Sequence, residues 1–187
     1  MELGNLPETA ECIRAVRAWV QERPAKPLAY LHTFGCQLNV ADGEKLSGLL
    51  QEMGFGVTND PEEASLILYN TCAVRENAED RVFGTLGSIK KRKRENPDLI
   101  LCVTGCMTAQ QSVADKLKKS YPYVDIVLGS NAVSQLPQML YAHMHGMRHA
   151  WDTAVSADIP ENVPTAHEST FKAAVPIMYG CNNFCTY

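Results

Sequence analysis

The sequence predicts an α/β protein built on a mostly parallel five-stranded sheet with helices on both faces. Three observations lead there. From Leu28 onward, short apolar runs alternate with longer polar-and-apolar segments. Those segments are long enough for crossover helices rather than hairpins, and crossovers join parallel strands. Helix-end signals also stand at their boundaries, with Gly54 after the first and Asn96-Pro97 after the second.

Before the first strand, residues Pro7 to Gln21 place Cys12, Ile13, Val16, Trp19 and Val20 at three-to-four-residue spacings, an amphipathic helix ending near Pro24 and Pro27. Residues 1–27 are read as a helical extension packed on the main domain, against the alternative of a mobile tail. The five strand candidates are Leu28 to Phe34, Phe55 to Thr58, Leu66 to Tyr69, Leu99 to Val103 and Val124 to Leu128. Helices are expected at Ala41 to Met53, Arg75 to Arg94, Thr108 to Ser120 and Val133 to His145, the last capped by Ser134 or Asn131. Residues 28–147 thus form the α/β domain. Residues 148–170, with Pro160 and Pro164 among small and polar residues, read as a linker, and 171–187 as the start of a second domain whose first strand precedes Cys181.

The 187 residues are 45% apolar and 20% charged, within the globular range. A net charge of −4 supplies no global attraction to nucleic acid, so any such contact is local. No apolar run approaches the ~18 residues of a membrane span, and the N-terminus lacks the basic-then-apolar order of a secretory signal. The expectation is a cytoplasmic protein. There, seven cysteines are not a disulfide framework, and an odd number cannot all pair. The chain has no internal repeat, no G-x-G-x-x-G after a strand and no phosphate-binding G-x-x-x-x-G-K-[ST].

Three cysteines take equivalent places: Cys36 follows the first strand, Cys72 the third and Cys106 the fourth. The carboxyl ends of parallel strands share one edge, where open α/β sheets place their ligands. Gly35 and Gly105 directly precede two of the three and allow a sharp turn and close approach, while the first amides of a following helix favour thiolate. A single cysteine here reads as a small buried apolar residue; three at matched strand ends favour a metal or cluster. A structural zinc would want four protein ligands, with His32 as a candidate fourth, whereas three thiolates can hold an iron–sulfur cluster with one iron open. The open cluster is the favoured reading. Cys12, on a helix face, and Cys102, inside an apolar strand, are read as packing residues.

Near the end of the sequence, Cys181 and Cys185 are followed by two residues, the last Tyr187, which looks like a C-x3-C-x2-C cluster motif one residue short of its third cysteine. The run Lys90-Lys91-Arg92-Lys93-Arg94 is read as a solvated helix C-terminus complementing the helix dipole, with phosphate contact as the second reading. His143, His145 and His149 are taken as surface residues. Asp42 and Glu44 are read as charging the first turn of a helix rather than as catalytic carboxylates. The aromatic residues read as scattered, without a stacking pattern for bases.

These residues resemble those of the radical S-adenosylmethionine methylthiotransferases. The likeness rests on Thr33-Phe34-Gly35-Cys36-Gln37-Leu38-Asn39 with Asp42 and Glu44, on Asn70-Thr71-Cys72-Ala73-Val74-Arg75-Glu76-Asn77-Ala78-Glu79, on Gly105-Cys106-Met107, and on Tyr179-Gly180-Cys181-Asn182-Asn183-Phe184-Cys185. The wording around Cys36 and Cys72 is nearest to the branch that modifies isopentenylated adenine in tRNA. Sister branches act on threonylcarbamoyladenosine or on a ribosomal-protein aspartate. Leu38, Gly43 and Thr108 depart from the usual methionine, serine and alanine, and none of these removes an expected ligand.

The resemblance implies two four-iron–four-sulfur clusters. Cys36, Cys72 and Cys106 would hold an auxiliary cluster carrying the sulfur to be inserted. Cys181, Cys185 and a further cysteine would hold the cluster that cleaves S-adenosylmethionine, with Tyr187 beside the cofactor's adenine. It further implies a methylthio group placed at C2 of the adenine, a tRNA anticodon stem-loop as substrate, and a sulfur donor and an electron-donor protein as partners. These 187 residues would then be an N-terminal fragment, inactive alone. A non-enzymatic, zinc-stabilised interaction domain and a flavodoxin-like binding module with buried cysteines are the competing readings.

Overall fold

The computed structural model describes residues 6–73, 78–129, 132–153, 163–167, 171 and 176. Among them, six strands form one sheet: β1 (Leu28–Thr33), β2 (Gly56–Thr58), β3 (Leu66–Thr71), β4 (Ile100–Gly105), β5 (Ile126–Leu128) and β6 (Ala150–Asp152). Their order is β2-β1-β3-β4-β5-β6, with every pairing parallel. Five helices accompany them: α1 (Thr9–Gln21), α2 (Gln37–Glu52), α3 (Ala78–Glu95), α4 (Gln111–Ser120) and α5 (Leu136–Met144).

The sheet is covered on both sides because its strands are apolar on both sides. All six residues of β3 are buried. Leu66 and Leu68 join one core with Val16 and Val20 of α1, Leu46 and Leu50 of α2 and Leu140 of α5. Ile67 and Tyr69, one residue out of phase, join a second core with Val82 and Leu86 of α3 and Val113 and Leu117 of α4. This is the two-residue alternation of a strand that has no solvent face. Helix α1 packs against α5.

The expected α/β class holds, with six strands rather than five. The additional strand, β6, falls within residues expected as linker. Three residues carry too little pattern to be read in advance. The strand forms because β5 offers an open edge: Ala150 N–H donates to Asp125 O at 2.9 Å, Gly129 N–H to Asp152 O at 2.7 Å, and Trp151 Nε1 to Val124 O at 3.2 Å. Residues 163–167, also in the expected linker, lie on α2. The Ala166 N–H donates to Glu44 O, and Gly48 leaves room for the Pro164 backbone where a Cβ would collide.

Several boundaries also move. Helix α2 starts at Gln37, directly after the turn at Gly35, and α4 starts late because Thr108 Oγ1 bonds back to the carbonyls of Gly105 (2.7 Å) and Leu128 (2.5 Å). Ser134 does not cap α5; it lies in a 3-10 turn (Val133–Gln135) leading into the helix, and Asn131 lies outside the described residues.

One buried ion pair fastens α3 to the sheet. Lys93 Nζ lies 2.7 Å from Asp125 Oδ2, both side chains being about one-tenth exposed, and the same oxygen accepts from Leu101 N–H at 2.8 Å. Removing the carboxylate strands a buried ammonium and a buried amide. Asp125→Ala is expected to lower the unfolding free energy by about 3–5 kcal/mol in urea titration. Cys12 and Cys102 are fully buried as packing residues, and burial pushes both thiols up, Cys102 well above the ordinary range with Asp125 adding to the effect. Because the thiolate is the nucleophile, both should stay unreactive toward a thiol reagent at neutral pH until the protein unfolds.

Candidate functional site: three thiols at the switch point of the sheet

Strand order reverses direction between β1 and β3, and open α/β sheets bind ligands at such a point, outside the carboxyl ends of the strands. The loops after β1, β3 and β4 carry Cys36, Cys72 and Cys106. Two glycines let these loops close on one another. At Gly35 (φ +148°) an added Cβ would lie 2.5 Å from Cys72 Cβ and 3.1 Å from its Sγ. At Gly105 (φ +106°) an added Cβ would overlap the Thr71 backbone. Both positions are strained for any residue with a side chain.

Side chains then fix the loops. Asn39 Nδ2 donates to Thr71 O at 2.6 Å, and Asn70 Nδ2 donates to Asn39 O at 2.7 Å, so two buried asparagines tie the start of α2 to the end of β3. Thr71 Oγ1 donates to Thr104 O at 2.6 Å, tying β3 to β4. Cys36 Sγ donates to Asn39 Oδ1 at 3.3 Å, and Cys106 Sγ accepts from Ala73 N–H at 2.9 Å. Neither asparagine was singled out for this role from the sequence. Their signal is position, three residues after Cys36 and two before Cys72.

The Cys106 thiol is pushed up by burial. The Ala73 amide opposes this, while Cys72, within hydrogen-bonding reach, and Cys36 add to it. The Cys72 and Cys36 sulfurs therefore lie near enough to act on that of Cys106. Cys36 is the N-cap residue of α2 but its sulfur makes no bond to the helix amides, and a turn separates Cys106 from α4 at Gln111, so the expected support from helix amides is not seen at either of these two described sulfurs. Among the described residues, no set of three or more His, Cys, Asp or Glu side chains is already arranged to hold a single metal ion.

Other candidates lie elsewhere. His32 is exposed, its ring 4.4 Å from Phe34 and its Nδ1 3.5 Å from Tyr30 Oη, so it belongs to an aromatic row and not to the thiols. That row corrects the expectation of scattered aromatics. Tyr30 and His32 of β1 and Phe34 just after it alternate with Tyr69 beside them, lining a cavity of about 300 Å³. The i, i+2, i+4 spacing was the available signal. Asp42 and Glu44 lie beyond the first turn of α2, and Glu44 is buried with Oε2 2.9 Å from His167 Nδ1. His145 stacks on Tyr141 and His149 Nδ1 lies 3.3 Å from Val124 O, so the histidines do not converge. Cys181, Cys185 and Tyr187 lie outside the described residues.

Of the three departures from the resemblance, two have a local account. The hydroxyl of Thr108 bonds the β4 and β5 ends, and Gly43 packs where a Cβ would sit 2.7 Å from Thr33 Oγ1. Leu38 is exposed, and nothing around it explains the choice.

The chain is 43% identical over 169 residues to a tRNA-2-methylthio-N(6)-dimethylallyladenosine synthase of Clostridium botulinum (strain Alaska E43 / Type E3), covering 90% of this chain and 37% of that protein. Proteins of the same name from Clostridium perfringens (strain SM101 / Type A) and Acetivibrio thermocellus are each 46% identical, over 163 and 165 residues, covering 87% of this chain and 36% and 34% of theirs. The chain thus spans little more than a third of the length of these relatives. A family model described as "Uncharacterized protein family UPF0004" matches residues 28–129, from the start of β1 to the loop after β5 and across all three cysteine loops, and the chain belongs to that family.

Proposed function

We propose that this chain is the sulfur-carrying N-terminal part of a cytoplasmic tRNA methylthiotransferase that places a methylthio group at C2 of an N6-isopentenylated adenine beside the anticodon. The observation that carries the reading is the gathering of three cysteine loops at the switch point, with Cys72 and Cys36 near enough to act on the Cys106 thiol, the loops being held by two glycines and a buried asparagine pair. Their chemistry fits an iron–sulfur cluster: softness suits thiolate to iron, and three ligands leave one iron free. His32 faces away, which leaves the described thiols short of the four ligands of a structural zinc site.

In this reading Cys36, Cys72 and Cys106 hold a four-iron–four-sulfur cluster. When bound, that cluster supplies the sulfur for transfer at its open iron. The chain's own residues prepare the place. Asn39 orients Cys36, the Ala73 amide offers a hydrogen bond to the Cys106 sulfur, and Cys72, with no exposed surface, keeps water from the inner side. Cys181 and Cys185 are assigned to a second cluster that binds S-adenosylmethionine, with Tyr187 near the cofactor. The anticodon stem-loop, a sulfur donor and an electron donor are the partners this activity requires. Among the described residues no helix is long and apolar enough to cross a membrane.

Anaerobic reconstitution with iron and sulfide should give a brown protein with broad absorbance near about 400 nm and about four iron atoms per cluster. Replacing Cys36, Cys72 and Cys106 together by alanine should remove that iron. Unchanged iron content would sink the assignment, and stoichiometric zinc in a colourless protein would favour the interaction-domain reading. Gly35→Ala should cost about 1–3 kcal/mol of backbone strain and reduce cluster loading while the circular dichroism of the domain persists. Full loading in that variant would mean that the close approach to Cys72 is not needed.

A further inference from the structure

The five consecutive cations Lys90 to Arg94 do not act as one patch. Arg92 turns inward, its guanidinium donating to the carbonyls of Pro61, Glu62 and Ala64. Lys93 also turns inward, to Asp125 and to the carbonyls of Pro97 and Leu99. Two of the five are therefore fasteners of α3, which corrects the expectation of a wholly solvated run. Lys90, Lys91 and Arg94 remain exposed.

These three line a groove of about 730 Å³ at the amino ends of β4 and β5, the edge opposite the thiols. Arg148, from the segment before β6, lines it too, and Tyr123 and His143 contribute to its wall. Lys91 has only a long, exposed pairing with Glu95 at 3.9 Å. Among the described residues Lys90, Arg94 and Arg148 form no ion pair. Among the described residues lining the groove the one carboxylate, Asp125, is already taken by Lys93. The Nδ1 of His143 is buried without a hydrogen-bond partner.

A helix dipole accounts for Lys90, Lys91 and Arg94 near the end of α3, but not for Arg148, which lies on no helix. Lys90, Arg94 and Arg148, cations from two separate segments without an ion pair among the described residues and gathered on one concave surface of a chain whose net charge is −4, repel one another, and a bound anion relieves that repulsion. Lys90 and Arg94 stand one helical turn apart on one face of α3, with Cβ atoms about 5–6 Å from each other. That regular spacing suits a ligand whose charges recur along a strand. Two guanidinium groups add the fork geometry that suits phosphate oxygens.

We propose that this groove binds the phosphate backbone of RNA; the proposal rests on the tRNA reading above and adds where the RNA is held. Strand β4 has six residues, at about 3.3 Å each. The groove thus lies roughly 20 Å from the thiols. Its cations position the RNA and read no base.

The test is fluorescence anisotropy of an end-labelled RNA stem-loop with the 187-residue chain at several salt concentrations. A Lys90→Glu, Arg94→Glu, Arg148→Glu triple variant should bind at least tenfold more weakly, and its log–log salt slope should be smaller by about 2–3, near 0.7–0.9 per lost phosphate contact. Arg14→Glu with Lys26→Glu, reversing two exposed cations outside the groove, should leave binding nearly unchanged. Equal loss in both variants, no loss in the triple variant, or no RNA binding by the chain would overturn the proposal. So would competition by polyglutamate as effective per charge as that by unlabelled RNA, which would assign the groove to an acidic protein. Iron and sulfide analysis of the same samples separates the two readings. Cluster formation with no effect of the triple variant sinks only the groove, whereas the groove effect without a cluster sinks only the sulfur-carrying reading.

Discussion

The arrangement depends on how closely the ends of β1, β3 and β4 approach one another. Adjacent parallel strands already lie side by side, but their following loops must turn away at once, and side chains ordinarily keep such turns apart. Gly35 and Gly105 remove the obstacle at the two outer strands, each against β3, whose Cys72 and Thr71 occupy the space a Cβ would need. The buried polar groups exposed by this closeness are then satisfied within the cluster of loops, by Asn39, Asn70 and the Thr71 hydroxyl. An apolar replacement at either asparagine would leave a carbonyl or an amide unpaired in a site with little water. The thiols stand close because the backbone is close.

The doubly wound topology gives the two edges of the sheet different chemistry. At the carboxyl edge the loops enter helices, so amides, small residues and sulfur collect there. At the amino edge helices end, and cations collect there. Within that second group the helical period sorts neighbours by role. Arg92 and Lys93 point toward the preceding loop and the sheet, while Lys90 and Arg94 face the groove. One run of charge in the sequence becomes two structural staples and a rim.

Much of the fold was legible. The β3 and β4 runs are apolar on both faces, and the helices α2 and α3 that precede them end at clear signals, Gly54 and Asn96-Pro97, so local pattern and tertiary burial point the same way. The misses share a cause. Strand β6 is three residues long and is held by long-range contacts: its pairing to β5, the Trp151 bond to Val124 and the burial of Ala150 in the core that α5 shares. The docking of residues 163–167 depends on Gly48 and on the buried carboxylate of Glu44, which a one-dimensional reading places in a helix without saying what lies against it. The aromatic row along β1 was missed although its alternation was visible, because Tyr69 joins it only across the sheet.

The sequence by itself determined the α/β class, the packing roles of Cys12 and Cys102, and the placement of Cys36, Cys72 and Cys106 at three strand ends. These follow from periodicity and from the rule that parallel strands share a carboxyl edge. Only the tertiary structure decided that β1, β3 and β4 are neighbours, that Cys72 and Cys36 come near Cys106, and that His32 stands apart. Strand order is a long-range property. It is set by which apolar faces are covered by which helices, and residues some thirty positions apart carry no local mark of whether they will meet.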